Sequence, residues 1–399
     1  MRAYFDHAAT SPMNPEVLAA YSSELQRVGN PSSLHAEGQA ARMRMETARE
    51  DLARTIGAAT PSEVVFTSGG TEADNLAVKG LWWARNADRS RPRLLVSTIE
   101  HSAVTDTAEW LQTQGAEVVW VPVDADGRLD LAAFGAALRE DPERTALASV
   151  MSANNEIGTL QPIPEIVALA HSVGVPVHTD AVQALGQVPL DFAALGVDAM
   201  SLSAHKIGGP VGTGALVISR DLTPVPVLHG GGQERKIRSG TLDVAGAVAF
   251  ARAAELACAD LPEKAAVRAA LRDRLIAGIE SSVPDAVLSG PRGAGRLPGN
   301  VHFVFPGCEG DALLFGLDVA GFATSVGSAC SAGVARPSHV LIACGRDEDT
   351  ARSVQRFSLG PTTTAADVDA LLAALPGIVD RARSAGMVSS TPAWMNGDT

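Results

Sequence analysis

The sequence predicts an α/β fold, with a mostly parallel central sheet covered by helices in a large domain and a smaller α+β domain beside it. Three observations predict it. Short apolar runs alternate with longer segments of helical periodicity from Val64 onward. Thr71, His101, Asn155, Asp180 and Lys206 each follow one of those runs, as expected where strands deliver reactive groups to one edge of a sheet. A chain of 399 residues, 46% hydrophobic and 19% charged, is too long for one ordinary core and has ample apolar surface to bury.

Residues 1–14 hold the turn Asp6-His7-Ala8-Ala9-Thr10, and Pro12 and Pro15 oppose a long helix through it. The loop Gly29-Asn30-Pro31-Ser32-Ser33 precedes a helix predicted from Leu34 to Ile56, with arginines and glutamates on its solvated side. Val64 to Thr67 reads as a buried strand, which Ser68-Gly69-Gly70-Thr71-Glu72 turns into a helix from Ala73 to Ala84. A glycine turn at a helix N-terminus presents free N–H groups and the positive end of the helix dipole, which favours a phosphate. Thr71 would add its hydroxyl, although a plain threonine cap accounts for the same residues. Leu94 to Ser97 is a second strand leading to Glu100-His101-Ser102-Ala103 and another helix. The alternation continues through Glu117 to Val121, Leu129 to Leu138 and Ala146 to Met151, reaching Asn154-Asn155-Glu156-Ile157-Gly158.

Pro176 to Asp180 is a short strand ending in an acid, followed by Gln183. The run Ala199 to Leu202 then ends in Ser203-Ala204-His205-Lys206, after which Gly208, Gly209, Gly212 and Gly214 let the backbone wrap closely around a bound group. Lys206 suits an amine that must lose its proton and form a Schiff base with an aldehyde cofactor; a surface lysine in a glycine loop is the plainer alternative. Downstream, Gly230-Gly231-Gly232-Gln233-Glu234 runs into Arg238-Ser239-Gly240-Thr241. A pyridoxal phosphate site needs an amine, an acid for the pyridinium nitrogen, and hydroxyl or amide donors for the phosphate, and each is present.

A helical connection from Ala245 to Ala259, a helix from Leu261 to Glu280, a strand from Asn300 to Phe305 and a helix from Asp311 to Leu317 fill the second half. The expected division is a large domain at residues 15–255, a small domain formed by residues 1–14 and 256–386, and a disordered tail from Met387 to Thr399.

A formal net charge of −13 argues against a general nucleic-acid binder, which needs basic surface. No apolar run approaches the roughly 20 residues that span a bilayer, and the N-terminus lacks the pattern of a secretory signal. A cytoplasmic location is expected. The four cysteines are widely spaced, which speaks against a zinc site or a disulfide framework. Cys330 lies in the small-residue run Thr324 to Gly333, which suits a loop that swings between a buried substrate and an outside acceptor. It is the candidate nucleophile. Cys258 and Cys344 sit in apolar surroundings and read as small core residues, with Cys308 a weaker alternative.

These motifs resemble the cysteine desulfurases, the pyridoxal-phosphate enzymes of the class V aminotransferase superfamily that take sulfur from L-cysteine. The resemblance runs from Tyr4-Phe5-Asp6-His7-Ala8-Ala9-Thr10 to Arg356-Phe357-Ser358-Leu359-Gly360, nearly the whole chain. It implies the aminotransferase-like fold called fold type I and pyridoxal 5′-phosphate as cofactor. By resemblance, Lys206 bonds the cofactor and moves the substrate Cα proton, and His101 stacks on the ring and moves protons. Asp180 meets the ring nitrogen, Gln183 the phenolic oxygen, and Asn155 positions ring and substrate. Gly70, Thr71, Ser203 and His205 are implied at the phosphate, with Thr241 completing that site from a neighbouring subunit in a homodimer. Arg356 clamps the substrate carboxylate.

The Gly-Ser-Ala-Cys motif ending in Cys330 resembles the subgroup serving iron–sulfur cluster assembly, which implies a persulfide passed to a sulfur-acceptor protein or iron–sulfur scaffold. Val326 and Pro361 depart from the commonest residues at their positions, and neither change removes a catalytic group. A class V aminotransferase, epimerase or selenocysteine lyase shares the cofactor, but a plain aminotransferase has no need of a mobile thiol. A non-catalytic sulfur-carrier scaffold is the reading from another class. Retention of Lys206, Asp180, His101 and Arg356 together argues against it.

Overall fold

A computed structural model describes residues 2–327 and 337–389. Its centre is a seven-stranded sheet, ordered Val64–Thr67, Gly214–Ile218, Ala199–Ser203, Val177–Asp180, Thr145–Ser149, Arg93–Ser97 and Glu117–Val121. The four pairings from Ala199–Ser203 to Glu117–Val121 are parallel. Gly214–Ile218 is the exception, antiparallel to both of its neighbours. The sequence reading took this stretch only as a glycine-rich loop. The apolar run Gly-Ala-Leu-Val-Ile follows Lys206 too closely for a crossover helix, so the chain must return antiparallel.

Side chains along the strands alternate between two faces, and each face is buried. Val64, Phe66, Leu95, Ala148, Val177 and Met200 join one core, together with Met45 and Leu52 of helix Ala36–Thr55 and Phe250 of helix Val244–Cys258. Val65, Leu94, Val96, Leu147, Ala199 and Leu216 join the other, beneath helices Gly70–Arg85 and Ser102–Gln112. The first of these two helices begins three residues earlier than the sequence predicts. Gly70 and Thr71 therefore lie in its first turn.

A further core forms around a three-stranded antiparallel sheet of Val354–Ser358, Asn300–Val304 and Val287–Leu288. Val301, Phe303 and Phe357 pack there with Leu275 and Ile279 of helix Leu261–Ser282 and Leu371 and Leu375 of helix Ala365–Ser389. Phe5 joins this core from the N-terminal segment, where Ala3–Tyr4 pairs in parallel with Phe322–Ala323. The helix Pro15–Leu25 starts on Pro15, which suits a first helical position because its missing N–H would be unpaired there anyway. At the other end, helix Ala365–Ser389 includes Met387–Ser389, which the sequence reading assigned to the disordered tail. No proline or glycine intervenes between Met387 and Ser389 to stop the helix, and Pro392 is the next breaker. Residues 390–399 lie outside the described residues.

Candidate active site

The chain leaves strand Ala199–Ser203 into the short turn His205–Ile207, and Gly208 closes it at a φ of 78°. This brings Lys206 back toward the N-terminal turn. Its Nζ donates to the carbonyls of Ala8 at 2.6 Å and Ala9 at 2.9 Å. Burial and the nearby Arg356 guanidinium lower its pKa to about 8, against the opposing pull of Asp180 and Asp6. Roughly one amine in ten is therefore neutral at pH 7, far more than for an ordinary lysine, and neutral amine is the form that adds to an aldehyde. The Ala8 carbonyl also accepts from Gln183 Nε2 at 3.0 Å.

Asp180 ends strand Val177–Asp180, and its Oδ1 accepts the Val182 N–H at 2.8 Å. Burial raises its pKa, while His101 and Lys206 pull the other way. Beside it, helix Gly70–Arg85 starts from Gly69 with no side-chain cap. A Cβ on Gly70 would stand 2.8 Å from Val182 Cγ2, so any larger residue there would have to push Val182 aside. Thr71 is exposed in the first turn, and Ser203 is buried behind the glycine turn. Glu72 accepts the Ser68 N–H at 2.6 Å and Arg238 Nε at 2.8 Å, which fixes the turn from below.

His101 caps helix Ser102–Gln112, its Nδ1 accepting the Ala103 N–H at 3.1 Å. That bond leaves the ring proton on Nε2. His205 Nδ1 lies 3.2 Å from Thr10 Oγ1, and burial with the adjacent Lys206 holds its pKa down at about 4. Arg356 is only 4% exposed. Its Nη1 donates to the Asn155 carbonyl and its Nη2 to Asp6 Oδ1, both at 2.8 Å.

The structure thus gathers Gly70, Asp180, Gln183, Ser203, Lys206 and Arg356 at one side of the sheet, with Asn155 joined through its backbone carbonyl. Thr241 stands apart, exposed in a small cleft with Thr67, Ser68, Thr213 and Arg238. Cys330 lies outside the described residues. Burial raises the pKa of Cys258, Cys308 and Cys344, the last to about 12, so none of these three is poised as a thiolate. The sequence reading did not single out Asp6, the Ala8 and Ala9 carbonyls, or the buried acids Asp74 and Glu100. Asp6, Ala8 and Ala9 carried a signal as part of the Asp-His-Ala-Ala-Thr motif and Glu100 as part of Glu-His-Ser-Ala, whereas Asp74 carried none.

These residues fit pyridoxal 5′-phosphate. A partly neutral buried amine matches its aldehyde, a buried carboxyl its pyridine nitrogen, and an uncapped helix start beside a close-packed glycine its phosphate.

Residues 3–371 match the family model described as aminotransferase class-V. The chain is 53% identical over 390 residues to an IscS-like cysteine desulfurase of Mycobacterium tuberculosis, covering 97% of this chain and 99% of that protein. It is 43% identical to a cysteine desulfurase IscS of Methanosarcina thermophila, covering 96% and 93%. A solved NifS-like protein superposes with a TM-score of 0.88 at 35% identity, covering 96% of this chain and all of that one. From this match along nearly its whole length, the chain belongs to the class-V aminotransferase family, in its pyridoxal-phosphate-dependent cysteine desulfurase branch.

Proposed function

We propose that the protein converts L-cysteine to L-alanine, leaves the sulfur as a persulfide on Cys330, and passes it to an acceptor protein for iron–sulfur cluster assembly or thiolation. The observation that carries this reading is the convergence of the Lys206 amine and the Arg356 guanidinium on the N-terminal turn, one on Ala8 and the other on Asp6. A related solved protein, 33% identical with a TM-score of 0.76, is described as SspA in complex with cysteine.

Bound pyridoxal phosphate supplies the electron sink that lets the substrate Cα–H bond break. Lys206 would hold the cofactor through its amine and, once free, would carry the substrate Cα proton. Asp180 would meet the ring nitrogen with its carboxyl, and Gln183 the phenolic oxygen. Gly70, Thr71, Ser203 and His205 would hold the phosphate, and His101 would stack on the ring and move protons. Arg356 orients the substrate carboxylate with its planar fork, and Asn155 fixes that fork.

The Cys330 thiolate attacks the substrate sulfur, so an S–S bond forms as the C–S bond breaks. The electron pair stays on the substrate carbon, which takes a proton and leaves as alanine. Thr241, exposed in its own cleft, is read as reaching the phosphate site of a second copy in a homodimer. The described residues contain no helix long and apolar enough to cross a membrane, and action in the cytoplasm is part of this reading.

The test is alanine release from L-cysteine by the cofactor-loaded protein in the presence of a reductant, with Cys330→Ser measured beside it. Alanine from the native protein and none from the variant, with the cofactor's visible band unchanged, is the expected result. Equal turnover by the variant would remove Cys330 from the reaction.

A further inference from the structure

Behind Asp180 lies a buried polar layer that the reaction above leaves unused. His178 precedes Asp180 by two residues and so points to the same face of the sheet, the face covered by helix Gly70–Arg85. Ser149 and Ser201 stand on the flanking strands, Ser149 in register with His178 and Ser201 with Asp180. His178 Nδ1 is 2.9 Å from Ser149 Oγ, and Nε2 is 2.9 Å from Ser201 Oγ. Asp74 reaches this chain from the helix. It is 1% exposed, its carboxyl meets the Ser201 hydroxyl, and its Oδ1 lies 3.6 Å from His178 Nε2 with no hydrogen-bond partner among the described residues.

The ionisable groups facing Asp74 are Asp180, Glu100 and His178, and among the described residues no lysine or arginine pairs with it. Glu100 is equally buried, with Oε1 accepting the Met151 N–H at 2.7 Å and Oε2 unpartnered among the described residues. A buried carboxylate without a cation is expensive, and two neighbouring ones are worse. Of these acids, Asp180 alone faces the Lys206 amine.

The hydroxyls on His178 can each donate or accept, so the proton on Asp74 sets the direction of the whole chain. With that proton present, Asp74 donates to Ser201, Ser201 donates to His178 Nε2, and Nδ1–H donates to Ser149. Without it every bond reverses and the histidine proton moves to Nε2.

We propose that Asp74 is a positioning residue held as a neutral carboxylic acid, donating through Ser201 to His178, so that Asp180 alone carries the negative charge that serves the cofactor ring. The inference rests on the assignment of Asp180 to the ring nitrogen. Burial and the Asp180 charge both push the Asp74 carboxyl well above the usual range, and burial keeps His178 neutral by lowering its pKa to about 3.

The test uses the cofactor-loaded protein. Infrared spectra of native protein and Asp74→Asn are compared for the carboxylic-acid C=O stretch, and histidine nitrogen NMR, assigned with His178→Gln, reads the tautomer of His178. The expected result is loss of one carboxylic-acid band in Asp74→Asn and a native His178 protonated on Nδ1. The side-chain amide introduced by Asp74→Asn can donate to Ser201 as the acid does, so this variant keeps that tautomer and the native pH dependence of the cofactor's visible band. Asp74→Ala removes the donor and mixes the two tautomers. An unchanged carboxylic-acid region, a native His178 protonated on Nε2 or an imidazolium would each overturn the proposal. Asp180→Asn separates the two readings: an unaltered visible band there would sink the ring-nitrogen assignment, while the infrared result still decides the state of Asp74.

Discussion

Arg356 Nη2 donates to Asp6 Oδ1 at 2.8 Å across 350 residues of sequence, and Nη1 donates to the Asn155 carbonyl at the same distance. The guanidinium is held from two sides before any substrate arrives. Preorganisation of this kind lowers the cost of gripping a carboxylate.

Arg356→Lys keeps the charge and loses the fork. The KM for L-cysteine is expected to rise by roughly 10- to 100-fold, the equivalent of about 1.5–3 kcal/mol for a charge-assisted contact, with a smaller change in kcat. Steady-state kinetics with the cofactor saturating decide it, and an unchanged KM would take Arg356 out of the clamp.

Lys206 has a pKa lowered to about 8. Covalent uptake of pyridoxal phosphate by the apoprotein should therefore accelerate with rising pH around a midpoint near 8, because only the neutral amine adds to the aldehyde. Stopped-flow absorbance follows it. A midpoint near the ordinary lysine value, about 10.4, would mean that the amine is not desolvated.

Gly214 packs against the turn that leads into Gly70. A Cβ on it would stand 2.6 Å from the Gly69 carbonyl carbon and 2.7 Å from the Leu202 oxygen, both backbone atoms. Gly214→Ala is expected to lose about 1–3 kcal/mol of stability by overpacking and to retain less cofactor on dialysis. Native cofactor retention would show that the turn tolerates the shift.

His302 is fully buried, and neither ring nitrogen has a partner among the described residues. Burial, then the charges of Arg296 and Arg356, lowers its pKa to about 3. A base depressed in the folded state binds more protons when unfolded, so its contribution to stability is present above its ordinary pKa near 6.5 and is lost as pH falls from there toward 3. His302→Leu removes both the orphaned nitrogens and this sensitivity. Thermal melts should show its advantage over the native protein widening as pH drops from about 7 to about 4. Parallel curves would mean that His302 does not resist protonation.

The strands that read directly from the sequence included those buried on both faces, such as Val64–Thr67 and Arg93–Ser97, where a short apolar run is bounded by turns. Gly214–Ile218 escaped because its glycines signal a loop while its direction is set by distant partners. Lys206, Asp180 and Gly70 were legible because each follows a strand within a few residues. The Asp6–Arg356 bond was not, since an ion pair between segments 350 residues apart leaves no local pattern. Asp74 hid for a different reason. It sits four residues after Gly70 in a helix of ordinary appearance, and only the packed sheet reveals that its carboxyl is shut off from bulk solvent beside other acids.

The N-terminal turn has a mechanical consequence. Phe5 is anchored in the small sheet's core, Asp6 grips Arg356, and the Ala8 and Ala9 carbonyls hold the Lys206 amine. Asp6 and Ala8 belong to one turn, closed by the Ala9 and Thr10 N–H groups on the Asp6 carbonyl. The guanidinium and the amine therefore share a single anchor, and a substitution that displaced this turn would misplace both at once.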